Sequence, residues 1–197
     1  MEGLMNIKAS LLSWKFAIVA LMASVSMSAH AQEYLTPTNP PEPGKAPGAK
    51  VRLLSTNGQT KNYLLVLSSG DELMSGIAAF AVKYDVKYAH YTGFGDATSA
   101  KFGWFDAGRK MFKAVPMNEP SEVTSMTGDI SLYKNKPLAH THLSTALQDG
   151  SVHGGHLFEL IVGPTFEVMI TVEPTPIYKK VNSDFNALVV DPTILAP

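Results

Sequence analysis

The chain of 197 residues has no cysteine and only two arginines, Arg52 and Arg109. It also has no apolar run approaching the ~20 residues that span a bilayer. Without cysteine it can form no disulfide and carry no lipid on an N-terminal cysteine, so stability must come from packing, a metal ion or oligomerisation. The formal charge is -1, with 16 basic and 17 acidic residues. Such a chain lacks the general positive field with which proteins displace counterions from nucleic-acid phosphates.

The N-terminus reads as an address. Lys8 and Lys15 form a positive region, Phe16 to Met27 is an uncharged apolar stretch, and Ala29-His30-Ala31 offers small residues at the positions a signal peptidase reads. This predicts a signal peptide over residues 1–31, a chain starting at Gln32, and a periplasmic or secreted location. Met1 and Met5 both serve as candidate initiators. Removing residues 1–31 takes away Glu2, Lys8 and Lys15, which leaves 14 basic and 16 acidic side chains, a charge of -2.

The remaining 166 residues suit one domain. Residues 32–50 read as a linker, because TPTNPPEPGKAPGAK (36–50) holds five prolines without apolar periodicity. The domain is expected over 51–192, with a tail at 193–197. Asn62 to Leu67 suits a buried strand. Ser68-Ser69-Gly70-Asp71 then breaks it, and a helix is predicted over about Asp71 to Tyr84, with Leu73, Met74, Ile77, Ala81 and Tyr84 on one face. Strands are expected at Tyr88–Tyr91, Ser99–Asp106, Lys110–Val115, Glu122–Tyr133, Leu138–Ser144 and His156–Val172, with Gly93-Phe94-Gly95 as a tight turn. With no second long helical pattern, successive strands should pair antiparallel.

Four of the six histidines lie in HTHLSTALQDGSVHGGH, residues 140–156. On a strand, His140 and His142 point to one face, and two imidazoles so spaced can chelate one ion. Asp149-Gly150 is a turn signal, after which a returning strand brings His156 alongside. Three imidazoles with a fourth position open is the arrangement of catalytic rather than structural zinc. His153 is either a fourth ligand or, by strand alternation, a histidine at the rim. Zinc is the expected ion, although copper, nickel and iron(II) accept the same donors. Of the carboxylates, Glu167 is the first candidate for a general acid or base; the alternative is a carboxylate at solvent or a subunit interface. Glu122 and Glu159 follow. Lys179-Lys180, the sole adjacent lysine pair, reads as a solvated feature.

Taken in order, Gly128-Asp129-Ile130, His140-Thr141-His142, Gly154-Gly155-His156-Leu157 and Thr165-Phe166-Glu167-Val168 resemble the PPC domain, the plants and prokaryotes conserved domain. The resemblance runs from about Val51 to Asp191. It implies an α/β (α+β) fold, a bent, mainly antiparallel sheet packed on a helix, assembled as a homotrimer. It also implies that His140, His142 and His156 match histidines that hold a metal in prokaryotic members. A distant similarity to the zinc site of acetolactate decarboxylases suggests lyase or hydrolase chemistry, but that enzyme's catalytic glutamate and arginine have no match here. Plant members carry a DNA-binding label through a separate Arg-Gly-Arg-Pro hook, which this sequence lacks. Two functions therefore stand: an exported metal-binding domain open to a small ligand, with or without lyase or hydrolase activity, and a non-enzymatic interaction module, DNA-binding by family inheritance.

Overall fold

The computed structural model describes residues 31–36 and 44–195. The expected signal peptide, apart from Ala31, and residues 37–43 of the proline-rich segment lie outside the described residues.

Among the described residues, ten strands and one helix follow in the order β1 (Tyr34–Leu35), β2 (Lys50–Asn57), β3 (Thr60–Ser68), α1 (Leu73–Lys83), β4 (Tyr88–Asp106), β5 (Met111–Met117), β6 (Ser121–Tyr133), β7 (Lys136–Ala146), β8 (Val152–Val172), β9 (Tyr178–Asn182) and β10 (Ala187–Asp191). The sheet runs β1-β5-β4-β6-β7-β8-β3-β2, and β4 pairs with β8 as well, so β4, β6, β7 and β8 close into a ring of pairings. All pairs are antiparallel except a single parallel contact of β9 with β6. This is the mainly antiparallel sheet with one helix that the family resemblance implied.

Packing follows the residue pattern. In β3, Tyr63, Leu65 and Leu67 alternate inward, where they meet Leu73, Ile77 and Phe80 of α1 and Phe166, Val168 and Ile170 of β8 in one core. Leu67, Leu73 and Ile77 are fully buried, and each contributes roughly 1.5–3 kcal/mol by leaving water. The helix starts at Leu73, two residues after the expected Asp71. Glu72 is its N-cap, accepting hydrogen bonds from the backbone N–H of Met74 (3.0 Å) and Ser75 (2.6 Å). It also accepts from Leu160 N–H of β8 (3.2 Å), which ties the helix start to the sheet. Asp71 instead holds the turn before it, accepting from Ser68 N–H (2.8 Å) and Gly48 N–H (2.9 Å).

Several sequence expectations are corrected here. Residues 88–106 form one strand of 19 residues, and Gly93-Phe94-Gly95 is a register shift inside it. Both edges of that segment are paired, to β6 and to β8, and two hydrogen-bonded neighbours keep it extended where a turn signal stood. Residues 44–50 are docked rather than a free tether. Lys45 N–H donates to Ser75 Oγ (2.8 Å), Lys45 C=O accepts from Glu72 N–H (2.9 Å), and Ala46 and Ala49 pack on the core. The chain after Val172 forms the β9–β10 hairpin, for which no strand was expected.

Candidate metal centre

The cluster is built by register. In the β6–β7 pair Asp129 faces His140 and Thr127 faces His142; in the β7–β8 pair His142 faces His156. One ligand atom from each of His140, His142 and His156 lies within 4.8 Å of the others. The ring centroids are 5.1 Å apart for His140 and His142, 4.9 Å for His140 and His156, and 5.7 Å for His142 and His156. The three histidines named from the sequence are therefore brought together. His153 is not: it pairs with Thr145, is exposed, and lies an odd number of residues from His156 on β8, on the other face.

The histidine strands are held from behind. Gly128 faces Thr141, and a side chain at Gly128 would collide with the Tyr91 ring and lie 2.5 Å from His140 C=O. Its absence lets the fully buried Tyr91 lie against β7, where its hydroxyl pairs with Thr141 Oγ1 (2.6 Å) and donates to His140 C=O (3.3 Å). Burial pushes the Tyr91 phenol well above its ordinary pKa, so it stays protonated. Gly155, at φ +147°, sits where β8 crosses β4, and a Cβ there would lie 2.9 Å from Gly103 C=O. Only glycine allows this backbone to deliver His156 to the cluster.

His156 is fixed by aromatic rings, stacked on Phe112 (centroids 4.4 Å apart, planes 13° apart) and met edge-on by Phe158 at 4.9 Å. Burial, then the neighbouring His140, His142 and Lys179, lowers its pKa to about 3. Its Nδ1 is buried with no hydrogen-bond partner. A neutral imidazole with an orphaned buried nitrogen, beside two more imidazoles, fits a borderline metal ion. Burial and Lys179 also lower the pKa of His140, with Asp129 opposing; His140 Nδ1 lies 3.7 Å from Asp129 Oδ1.

The sequence reading missed Lys179. Far from being one of a solvated pair, it is buried, and its ammonium donates to Asp129 Oδ2 (2.9 Å) and Leu138 C=O (3.3 Å) at the edge of the cluster. Burial lowers its pKa while Asp129 works against the shift. Lys180, one residue on, faces the other way and pairs with Asp191 (2.6 Å). The available signal was strand alternation, which puts neighbouring lysines on opposite faces.

Glu167 is not brought to the histidines. It lies eleven residues beyond His156 on β8, opposite Val66 and Phe94, because alternation gave its face but not its distance along a strand of 21 residues. Glu122 pairs across from Ala146 and Asp96. Among the three candidate carboxylates only Glu159 lines the cleft over the cluster, a space of about 790 Å³ also lined by His140, His142, His156 and Lys179.

The comparisons agree with this architecture. The sequence profile of the Plants and Prokaryotes Conserved (PCC) domain matches residues 54–174. Curated proteins returned no match. Among solved structures, a candidate DNA-binding protein from Ralstonia eutropha JMP134 is 32% identical with a TM-score of 0.62, covering 66% of this chain and 90% of its own. A plant- and prokaryote-conserved protein from Pyrococcus horikoshii is 28% identical (TM-score 0.63, 71% of this chain, 100% of its own). A metal-containing protein from Archaeoglobus fulgidus, 24% identical (TM-score 0.61, 72% and 96%), shares the fold. With the profile covering more than half its length and its sheet and helix matched by these neighbours, the chain belongs to the Plants and Prokaryotes Conserved (PCC) domain family.

Proposed function

We propose that this PCC-domain protein holds a divalent metal ion, zinc first, through His140, His142 and His156, in a cleft open to a small ligand. The observation that carries the reading is the meeting of three imidazoles within 4.8 Å, one with a buried nitrogen that nothing else satisfies. When bound, such an ion supplies Lewis acidity toward an oxygen of the ligand. The chain's own residues do the rest. Asp129 and Tyr91 steady β7, Phe112 and Phe158 fix the His156 ring and exclude water from one side of it, and Lys179 keeps a positive group at the cleft wall. Lyase or hydrolase chemistry would draw its proton carrier from Glu159 or Lys179 rather than from Glu167.

The metal described for the Archaeoglobus fulgidus protein supports this reading. The DNA-binding description of the Ralstonia eutropha protein points to the other one. For this chain, burial of Lys179 against Asp129 removes one of its few clustered cations from any phosphate-binding surface. Export and a trimer belong to the same proposal. The apolar stretch at Phe16 to Met27 supports export, and the exposed Trp104, Val152 and Phe94 give a subunit contact something to cover. Cobalt(II) titration of the chelator-treated protein tests the site. One ion per chain, lost in the His140→Ala/His142→Ala variant, is expected; no cobalt uptake with salt-sensitive binding to duplex DNA would shift the function to the interaction module.

A further inference from the structure

The family match ends at residue 174, yet the cleft over the histidines does not. Lys179, Phe185 and Leu188 of the β9–β10 hairpin line it, and so does Lys45 from the segment preceding β2. The hairpin is anchored at three points. Leu132 N–H donates to Ile177 C=O (2.8 Å), the Lys179 ammonium to Asp129 (2.9 Å) and Lys110 Nζ to Ser183 C=O (3.2 Å). It therefore forms a fixed wall of the cleft, beyond the residues that the family profile matches.

An aromatic strip joins that wall to the histidines. Phe112, stacked on His156, meets Phe158 and Phe105 edge-on, both at 5.4 Å between centroids, and Phe105 meets Phe185 of the hairpin at 6.2 Å. All four rings line the cleft. At the histidine end the charge is unbalanced. Three imidazoles ligate as neutral groups, so no ligating carboxylate offsets a divalent ion; Asp129 is already matched by Lys179, and Glu159, which lines the same cleft, is outside the ligand set. An ammonium has three donors, and two of those of Lys179 are used within the protein. The polar end therefore suits a compact anion, and the strip suits a flat apolar body.

Resting on the metal reading above, we propose that the β9–β10 hairpin makes this site selective for a small monocarboxylate with a flat apolar body. The carboxylate lies at the imidazole and Lys179 end, and the body lies along the strip toward Phe185 and Leu188. The test uses cobalt(II)-loaded protein, calorimetry, and three probes: benzoate, acetate and the neutral benzamide. Benzoate should bind at least about tenfold more tightly than either other probe, since it alone combines the anion with the ring. In Phe185→Ser/Leu188→Ser the preference over acetate should shrink to within about threefold, with cobalt stoichiometry and absorption unchanged. Failure to take up cobalt overturns both this inference and the metal reading. Cobalt uptake without benzoate preference overturns the ligand class alone, and a preference that survives in the double variant overturns the role of the hairpin.

Discussion

His142 and His156 are direct partners across the β7–β8 pair, and His140, two residues back on β7, shares their face. The cluster thus depends on the register of one hairpin and on the backbone that places His156 at its end. A one-residue slip would turn both β7 histidines away from it.

Gly155 is the sensitive point of that register. Gly155→Ala puts a side chain on a backbone at φ +147° and 2.9 Å from Gly103 C=O. We expect a loss of about 1–3 kcal/mol in urea unfolding together with weaker cobalt binding. Unchanged metal affinity in a destabilised variant would mean that the glycine serves the fold and not the cluster.

Breaking the Lys179–Asp129 pair should cost more than its residual exposure suggests. The lysine side chain is 2% exposed and the aspartate 24%, so Lys179→Met leaves a largely sheltered carboxylate without its counter-ion. A destabilisation of about 2 kcal/mol is expected, discounted for the partly wet aspartate, and Asp129→Asn in the same chain should recover more than half of it. Additive single effects in this cycle would show that the two groups do not act as a pair.

The metal-free protein should weaken in acid partly through His156. Its folded-state pKa of about 3 lies below the ordinary value of 6.5. Between these limits the unfolded chain holds a proton at this site that the folded chain refuses, so stability falls as pH drops through about 6.5 toward 3. The limiting slope for one proton is about 1.4 kcal/mol per pH unit. Denaturation of chelator-treated protein between about pH 7 and about pH 5 should show a shallower decline in His156→Gln than in the parent. Equal slopes would show that His156 is accessible to protons in the fold.

Much of this was legible in the sequence, and the exceptions share a cause. His140 and His142 follow from alternation alone, His156 from the Asp149-Gly150 turn, and α1 from its spacing of three and four. These are local periodicities or one short hairpin. Lys179 was misread because what buries it, Asp129, is 50 residues away in sequence and is met through a single parallel bridge between β9 and β6. Glu167 was misplaced because period-two alternation fixes a face and says nothing of position along a strand that runs past β7, β4 and β3 in turn. Gly93-Phe94-Gly95 carried turn chemistry, but pairing on both edges overrode it. The aromatic strip had no local signature at all, because its four rings come from β4, β5, β8 and the loop between β9 and β10.

The most direct measurement is elemental analysis of the protein purified from its native compartment without chelator or affinity histidines, beside His140→Ala/His142→Ala prepared identically. About one zinc or other divalent transition metal per chain is expected in the parent and none in the variant, with both folded by circular dichroism. A folded parent free of metal, or a variant that retains it, would contradict the assignment of His140, His142 and His156 as its ligands.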